Sequence, residues 1–466
     1  MEKLFEFIHK KYLLPQKQRF ADLLRSTSEG YPFLSYIVLD TEEKPLVKVE
    51  AKGTTPIELK LTSLSESLTD TERDEAKQDF VIALQIFEEQ ARRKTLYFAW
   101  SEGQEIVPEQ LKKQEKSLNR LFLETQVLFF IMFIIIGMAV LALITAFYPD
   151  AYWVAPLILV IVQFVFVFFS TNFIARTADW HITAANPLIH LLEYRLPLAT
   201  QEDFKQTRSR EELLSIKREI YEEVIAKNGN INCEAAGKVL SKFGVTCQPE
   251  SLIAKKIDVY ALVKKIADQF NIPIPKIVVS NTMIPNAAAS GPSPKRGIVL
   301  ITTGLLVQLE ENEIISVLGH EFGHLRGRDP LILYGLTAAE FLFRFYVLLP
   351  LFPIISSTFL FLLYFLAVMV VIFFIAKFFE ARADLVSAMV MGQPKVLAGA
   401  LEKIGFQRLL YERTPSFRLQ EWVGLDPHPP IYFRVDRLEK LEHPEKIKHP
   451  LIQSIKDVWA GFRATL

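Results

Sequence analysis

The sequence predicts an α+β membrane protein with four transmembrane helices, arranged as two hairpins, and with folded regions before, between and after them. Half of the 466 residues are hydrophobic and the mean hydropathy is +0.21, which is high for a water-soluble chain. Four stretches with few or no charges are each long enough to cross a bilayer as a helix. Lysine plus arginine and aspartate plus glutamate both number 53, so we expect no nucleic-acid partner.

Residues 1–124 are predicted to form a small N-terminal α+β domain, to which the residue pattern assigns no chemistry. Four strand-like runs and one charged helical segment are recognised by their periodicity: 34–39, 46–51, 57–61 and 95–100 for the strands and 71–93 for the helix. Residues 1–16 lack the apolar core and cleavage site of a signal peptide. We therefore expect the N-terminus to remain in the cytoplasm.

A first transmembrane hairpin is predicted within residues 125–175. Its two arms, 126–147 and 151–174, contain no charged residue. The linker Tyr148-Pro149-Asp150 lacks lysine and arginine, whereas basic residues flank the hairpin on both sides: Lys112, Lys113, Lys116 and Arg120 before it and Arg176 after it. Because positive charge is retained on the cytoplasmic side, both ends of this hairpin are predicted to be cytoplasmic.

A second hairpin is predicted within residues 331–376. Its arms are 331–349 and 358–376, and Pro350 and Pro353 mark the turn between them. The alternative is that these arms are buried helices of a soluble core. The turn again lacks lysine and arginine, so every sizeable hydrophilic region is predicted to lie on the same, cytoplasmic side.

Charged residues also define the limits and the interior of the second hairpin. Arg326 and Arg328 precede it and Lys377 follows it. Glu340 and Arg344 lie inside its first arm, four residues apart on one helix face. We expect them to pair with each other or to face a wet cavity, because an isolated charge within the bilayer is costly.

Residues 176–330 and 377–466 are predicted to be two parts of one domain that fold together around the second hairpin. The first part contains both cysteines of the chain, Cys233 and Cys247. Their spacing matches no metal-binding or redox motif, and two thiols are too few for a secreted disulfide framework. The sequence therefore predicts ordinary reduced thiols.

A metal site is predicted in the segment His320-Glu321-Phe322-Gly323-His324. On a helix, residues four apart project from one face, so the two histidines can bind one ion with Glu321 beside it, as in zincins. Acidic and capping residues at 310–313 and an apolar face from Ile314, Ile315 and Leu318 support the helix. The alternative reading is two surface histidines without a ligand.

A catalytic zinc takes three protein ligands, and Glu380 is the best candidate for the third. It lies 56 residues after His324, and the second hairpin accounts for most of that distance. Asp384, one turn further on, is expected to accept a hydrogen bond from a ligand histidine. The alternative is that this carboxylate pair is only the charged end of a membrane helix.

The chemistry expected of such a site is peptide hydrolysis with one Zn²⁺ per chain. Zinc lowers the pKa of bound water, and Glu321 would remove a proton as that water attacks a peptide carbonyl, then return it to the leaving amine. The chain has no phosphate-binding glycine-rich loop followed by Lys-Ser or Lys-Thr, so no nucleotide is expected and ATP-driven unfolding is disfavoured.

Four blocks of sequence resemble the HtpX-like membrane metallopeptidases, a family that also includes the CAAX prenyl proteases. They are Pro285 to Gly291 with Val299 to Leu305, the histidine helix continued through Asp329, Glu380 with Asp384, and His428-Pro429-Pro430 with Arg434 and Leu438. The order of the blocks and their interleaving with two hairpins are also similar. The resemblance covers roughly residues 125 to 440.

The resemblance implies a zincin-like cytoplasmic metallopeptidase domain with His320, His324 and Glu380 as zinc ligands and Glu321 as the general base and acid. It further implies an edge strand that binds extended substrates through its main chain, formed by Asn286, Ala287, Ala288 and Ala289 up to Ser290. His428 would help to hold the oxyanion, and Arg434 would brace the site through a carboxylate such as Asp384.

Two features depart from the family pattern. Ala288 stands where an aromatic residue is common, which would make the pocket beside the edge strand shallower. The first 120 or so residues have no counterpart in short HtpX-type proteins. One hypothesis for this extra region is a regulatory or substrate-capturing role.

The resemblance implies an ATP-independent endopeptidase that acts in quality control on membrane-associated or misfolded proteins at the cytoplasmic face of the cell (inner) membrane. Protein or peptide substrates and the lipid bilayer are the expected partners. Two alternatives are a processing protease with one defined substrate, as in the CAAX prenyl proteases, and a zinc-bound scaffold or chaperone that does not cleave. A zinc transporter is disfavoured, since no predicted span carries a histidine.

Overall fold

The computed structural model describes residues 1–107, 135–195 and 209–466, apart from positions 41, 67, 94, 136, 138, 141, 145, 228, 413 and 414. The first predicted span, 126–147, and the basic residues before it therefore lie largely or wholly outside the described residues. The chain divides into two compact units. The first comprises Met1–Leu96 with Arg195–Gln201, and the second comprises Tyr97–Tyr194 with Glu202–Leu466.

The first unit is an antiparallel sheet with helices. Its strands are hydrogen-bonded in sequential order, β1-β2-β3-β4. The elements are helix α1 (Glu2–Phe7), which continues as a π-turn over Ile8–Leu13, strands β1 (Phe20–Ser28), β2 (Tyr31–Leu39), β3 (Pro45–Lys52) and β4 (Glu58–Ser63), and helix α2 (Asp70–Arg93). The predicted strands at 34–39, 46–51 and 57–61 and the predicted helix at 71–93 are confirmed. The sequence did not predict β1.

Two further sheets belong mainly to the second unit. One has the strand order β10-β11-β9-β6, and the other has the order β5-β7-β8. The strands are β5 (Thr95–Ser101), which begins at the end of the first unit and confirms the strand predicted at 95–100, β6 (Trp180–Ile182), β7 (Leu188–Arg195), β8 (Leu252–Asp258), β9 (Lys276–Ser280), β10 (Ala287–Ser290) and β11 (Ile298–Thr302).

The helices of the second unit carry the spans and the metal motif. In chain order they are α3 (Ala155–Thr177), α4 (Arg210–Ile220), α5 (Ala235–Lys242), α6 (Val259–Phe270), α7 (Thr303–Gln308), α8 (Glu311–Gly327), α9 (Asp329–Phe343), α10 (Thr358–Met391), α11 (Pro394–Glu412), α12 (Pro415–Val423), α13 (Ile431–Glu439) and α14 (Pro450–Thr465). Helix α9 continues through a π-turn to Leu351.

Three helices in the described part of the chain are long and apolar enough to cross a membrane. They cover Ala155–Arg176, Asp329–Leu351 and Phe359–Met391, and they correspond to the second, third and fourth predicted spans. Tyr334 and Tyr346 of α9 donate hydrogen bonds to the carbonyls of Val160 and Trp153. Helices α3 and α9 are therefore antiparallel, and the start of α3 lies at the same end as the turn that follows α9.

The charged residues inside the second hairpin are paired, as the sequence predicted. Arg344 Nε lies 3.2 Å from Glu340 Oε1 within one helix. Tyr364 of the opposite arm donates a 2.8 Å hydrogen bond to the same carboxylate oxygen. The Glu340 carboxylate therefore links the two arms, and its charge is paired within the protein, where lipid could offer it no partner.

The prediction of two reduced thiols is wrong in the structure. Cys233 and Cys247 are joined by a disulfide, with their Cα atoms 5.6 Å apart. Cys247 also packs on Gly237, where an added Cβ would lie 3.1 Å from the Cβ of Cys247. The bond ties the turn that precedes helix α5 to the loop that follows it, a contact that no short sequence motif predicts.

Candidate metal centre

Helix α8 presents the two histidines of the metal motif. It starts at a capping box in which Glu310 and Glu313 each bind the backbone amide of the other, and Ile314, Ile315 and Leu318 are buried beneath it. It ends at Arg328, whose left-handed backbone (φ 56°) turns the chain into α9. The predicted helix, its start and its apolar face are confirmed.

Glycines allow α8 to lie very close to α10. A Cβ added to Gly319 would lie 2.8 Å from Ser387 Oγ, and one added to Gly323 would lie 3.1 Å from the Cα of Ala383. These glycines directly precede His320 and His324, so the surface that touches α10 adjoins the one that carries the imidazoles. The close approach brings the histidines of α8 within reach of a carboxylate on α10.

His320, His324 and Glu380 form the metal-binding group that the structure brings together. The Nε2 atoms of the two histidines are 3.1 Å apart, and each lies 3.3 Å from an oxygen of Glu380. One potential ligand atom from each residue lies within 4.8 Å of the others. All three side chains are largely buried, with 8–12% of their surface exposed.

A carboxylate and an arginine stand behind His320. Asp384 lies 2.8 Å from His320 Nδ1, and it receives hydrogen bonds from Arg434 Nε (2.9 Å) and Nη2 (2.7 Å). Asp384 is 1% exposed and Arg434 is 5% exposed. The structure thus places Arg434 against Asp384 and Asp384 against a candidate ligand, the arrangement that the family resemblance implied.

A second carboxylate and arginine stand behind His324, and sequence reasoning missed both. Asp329 Oδ2 lies 2.8 Å from His324 Nδ1 and accepts a 2.6 Å hydrogen bond from Arg382. Arg382 also donates to the carbonyl of Gly323 at 3.0 Å. Each candidate ligand histidine is therefore held by an aspartate, and each aspartate by an arginine.

The donor set fits a divalent cation such as zinc. Because the Nδ1 atom of each ring faces an aspartate, we assign the ring proton to Nδ1, which leaves the Nε2 lone pairs of His320 and His324 directed at each other. Glu380 Oε2 is buried and accepts no hydrogen bond within the described part of the chain. Two lone pairs and a carboxylate that converge in this way are stabilised by a shared positive ion.

The pKa values of the two histidines also indicate that this position favours a cation. Burial, the largest single effect, lowers the pKa of His320, but the carboxylates of Asp384 and Glu380 together outweigh it and raise that pKa. Burial also lowers the pKa of His324, but Glu380 and Asp329 outweigh it and raise that pKa well above its ordinary value. The surrounding carboxylates therefore favour a cation at this position.

Glu321 lies between the donor set and the edge of a sheet. Its Oε2 accepts a 2.8 Å hydrogen bond from the backbone amide of Ala289, in β10. Within the part of the chain that the structure describes, strand β10 is hydrogen-bonded to β11 alone, at the end of its sheet, so it is an edge strand there. The strand contains Ala287, Ala288 and Ala289, and Asn286 lies just before it.

The outward-facing groups of β10 follow from its register. The carbonyl of Asn286 accepts a 3.0 Å hydrogen bond from the amide of Thr302, so Asn286 faces β11. Backbone groups alternate in direction along a strand, and those of Ala287 and Ala289 therefore face away from the sheet. They are the main-chain groups to which an added strand would bind.

His428 lies at the open side of the donor set. Its Nε2 is 3.6 Å from Glu380 Oε2, and its side chain is 44% exposed. Asp426, which the sequence reasoning also missed, holds His428 by accepting from its backbone amide and by facing Nδ1, both at 2.8 Å. The ring is thus oriented with Nε2 toward Glu380.

The chain matches known proteins over its second half. The model of peptidase family M48 matches residues 254–442. A protease HtpX homolog of Desulforapulum autotrophicum is 31% identical over 209 residues, which cover 38% of this chain and 67% of the relative. A protease HtpX homolog of Pyrococcus furiosus is 30% identical over 214 residues, 40% of this chain and 73% of the relative. Protease HtpX homolog 2 of Methanosarcina acetivorans is 30% identical over 206 residues, which cover 37% of this chain and 68% of the relative.

Proposed function

The chain belongs to the HtpX-like metallopeptidases of family M48 and is a membrane protein, and from that premise we propose that it is an ATP-independent zinc endopeptidase of the gluzincin type. The observation that carries the proposal is the convergence of His320, His324 and Glu380 on one point, within 4.8 Å of one another. Two histidines and one glutamate are the ligands of a catalytic zinc site that leaves one position open for water.

In this proposal the three ligands hold one zinc ion per chain. Bound zinc would supply a water of lowered pKa and would polarise the scissile carbonyl. Asp384 and Asp329 fix the orientation and the tautomer of the two ligand rings, and Arg434 and Arg382 hold those carboxylates in place by hydrogen bonds.

Glu321 is proposed to move the protons of the reaction. Its carboxylate takes a proton from the attacking water and passes it to the leaving amine. His428 is proposed to donate a hydrogen bond from Nε2 to the developing oxyanion, because Asp426 already occupies its Nδ1. Arg434 contributes by position, through its two hydrogen bonds to Asp384.

The substrate is proposed to bind as an extended strand along β10. The outward-facing main-chain groups of Ala287 and Ala289 would pair with it, and Asn286 fixes the start of the strand by its hydrogen bonds to the backbone and the hydroxyl of Thr302. Ala288 leaves the neighbouring surface shallow. Recognition through the main chain supports loose sequence specificity.

We propose a role in quality control of membrane-associated or misfolded proteins at the cytoplasmic face of the inner membrane. The domain division proposed with it is 1–124, hairpin 125–175, 176–330, hairpin 331–376 and 377–466. The distribution of lysine and arginine supports this orientation. The Cys233–Cys247 disulfide favours the opposite side, because disulfides persist in oxidising compartments.

The orientation is tested by labelling cysteines placed one at a time at Pro149 and Ser356, in the turns of the two hairpins. An impermeant reagent added to intact cells should label both positions. Labelling that requires broken cells would overturn the cytoplasmic assignment. A cysteine at Glu311, at the start of α8, is the matched control and should give the opposite result.

Two alternative functions would differ from the proposed one in substrate range or in their need for Glu321. A processing protease would cleave one substrate and spare unfolded proteins. A zinc-bound scaffold or chaperone would not need Glu321. Both are distinguished from the proposed activity by the substrate range and by the effect of Glu321→Gln.

The experiment uses casein as an unfolded reporter and measures metal content on the same preparations. Glu321→Gln should retain zinc and lose cleavage, whereas Glu380→Ala should lose zinc and cleavage together. Glu311→Gln, an exposed carboxylate on the same helix, is the control and should behave as wild type. Equal cleavage by wild type and Glu321→Gln would disprove the enzymatic proposal.

A further inference from the structure

The C-terminal helix α14 carries an apolar stripe whose side chains are mostly exposed within the described residues. The stripe consists of Leu451, Ile452, Ile455, Trp459, Phe462 and Leu466. At 3.6 residues per turn these six positions fall within an arc of about 100°. Ile452 is 53% exposed, Ile455 40% and Trp459 45%, although each is a large apolar side chain.

Most of the stripe is distinct from the face by which α14 packs on the protein, and only Phe462, at the edge of the stripe, also packs against the core cluster of that face. Ser454 and Val458 are fully buried, and Val458 belongs to a core cluster with Ala381 of α10 and Trp422 of α12. The exposed stripe is turned by roughly 100° from that buried face. An apolar surface left outside an already packed helix needs a second apolar environment.

The stripe is continuous with the lipid-facing surface of α10. Trp459 and Phe462 contact Phe374, with ring centroids 5.9 Å and 5.3 Å apart. Phe374 lies one helical turn after Val371, which is 56% exposed on the same face of this membrane-spanning helix. Three residues after Phe374, Lys377 is the first charged residue of α10. The rings of α14 therefore meet α10 where its apolar segment ends.

Charge and residue type around the stripe also match a membrane surface. Lys456 and Arg463 lie two helical turns apart along its polar edge, and the guanidinium of Arg463 is 5.6 Å from the ring centroid of Trp459. Tryptophan concentrates at the boundary between lipid and water, and basic side chains beside an apolar stripe contact lipid headgroups.

We propose that α14 lies in the membrane interface, with its stripe in the lipid and its basic edge at the headgroups, as a second attachment of the peptidase domain to the bilayer beside α10. The proposal rests on the span of α10 and on the packing of α14. It does not depend on zinc or on which side of the membrane the domain occupies, so it can fail while the proposed activity stands.

The test is spin labelling of the full chain in nanodiscs of phosphatidylcholine and phosphatidylglycerol. Cysteines at Ile452 and Ile455 report the stripe, and a cysteine at Ala460, on the opposite, exposed side of α14, is the control. The native cysteines are disulfide-bonded and stay unlabelled. Collisions with oxygen, which dissolves in lipid, are compared with collisions with a water-soluble nickel chelate.

At Ile452 and Ile455 we expect oxygen collisions to exceed nickel collisions several-fold, and at Ala460 the reverse. A preference for nickel at the stripe would place it in water, and low collision rates with both reagents would mean that protein, such as a second copy of the chain, covers it. Either result overturns the proposal.

A second measurement uses the native tryptophans and a conservative variant. Trp100, Trp180 and Trp422 are at most 1% exposed, whereas Trp153, near the turn of the first hairpin, and Trp459 are about half exposed at 55% and 45%. Lipids brominated near the headgroup should quench wild type more than Trp459→Phe. Equal quenching of the two proteins would exclude contact between Trp459 and lipid.

Discussion

The backbone amide of Ala289 donates a 2.8 Å hydrogen bond to Glu321, so the edge strand holds the glutamate that is proposed as the general base. The same N–H faces away from the sheet and is a group to which an added substrate strand would bind. Substrate and Glu321 therefore compete for one donor. Pairing of a substrate along β10 would release the carboxylate as the scissile bond arrives.

Replacing Ala289 by proline tests this relationship. The proline removes the N–H, and an edge strand tolerates proline where the N–H points away from the sheet. We expect kcat/KM for casein to fall by up to about tenfold, the effect of losing one hydrogen bond to the substrate. Ala289→Ser keeps the N–H and is the control. Equal kcat/KM for the two variants, with equal zinc content, would contradict the role of the amide.

Asp329→Asn tests the carboxylate that holds His324. The change removes the negative charge that Arg382 and His324 share, so zinc affinity should fall about tenfold to a hundredfold, as for other groups that orient metal ligands. The measurement is the zinc dissociation constant by competition with a chelator. Glu311→Gln is the matched control, and a variant Asp329→Asn that binds zinc as tightly as this control would remove Asp329 from the site.

Gly323→Ala tests the close approach of α8 and α10. The new methyl group would lie 3.1 Å from the backbone of Ala383, so the helices must separate, at a cost of about 1–3 kcal/mol. We expect a lower unfolding temperature and weaker zinc binding. Gly399→Ala, in helix α11 where nothing lies within 4 Å of the added Cβ, should be neutral or stabilise the protein by up to about 1 kcal/mol. Two variants of equal stability would refute the packing argument.

Tyr364→Phe tests the link between the arms of the second hairpin. Loss of its hydrogen bond to Glu340 should destabilise the protein by about 0.5–2 kcal/mol, the range for single hydrogen bonds between membrane helices. Glu340 lies 16 residues after His324, and Tyr364 lies 16 residues before Glu380, so the link fixes the two arms at matching distances from the ligands. Zinc should therefore dissociate faster from the variant.

Tyr148→Phe is the control for this substitution, because Tyr148 is 70% exposed in the turn of the first hairpin. Unfolding and zinc release are measured in the same nanodiscs for both variants. If Tyr364→Phe releases zinc at the rate of Tyr148→Phe, the hairpin link has no influence on the metal centre.

Removal of the metal is the fifth prediction. A chelator should lower the unfolding temperature of wild type, since a ligand that binds only the folded state stabilises it, and added zinc should restore the original value. Glu380→Ala, measured in parallel by differential scanning calorimetry, should show no response to either treatment. A response of equal size in the variant would mean that the stabilising metal binds elsewhere.

The sequence predicted those parts of the molecule that depend on local patterns. The histidine motif on a helix and the three described apolar spans each follow from residue spacing within one element, and the structure has them where the sequence predicts them. Glu380 was found because one short carboxylate motif follows the last span. Strand β1 was missed because most of its residues are exposed and a positive φ at Asp22 interrupts its alternation.

The contacts that were missed depend on chain reversal or on packing between distant segments. Asp329 reaches back to His324 only because Arg328 adopts a left-handed backbone conformation. Arg382 reaches Asp329 only because glycines bring α8 and α10 together. The Cys233–Cys247 bond likewise depends on how the turn before α5 lies against the loop after it. None of these has a signature in residue spacing.

The position of Glu380 beyond the second hairpin also sets an order of events during synthesis. A growing chain that has just made His324 carries two of the three ligands, and 56 further residues must follow before the third exists. Arg434, which holds Asp384 in place, comes later still. A ribosome-bound chain thus has no complete metal centre until the hairpin has been made and its arms have closed. The metal-binding group is in this way completed only after both arms of the second hairpin have been synthesised.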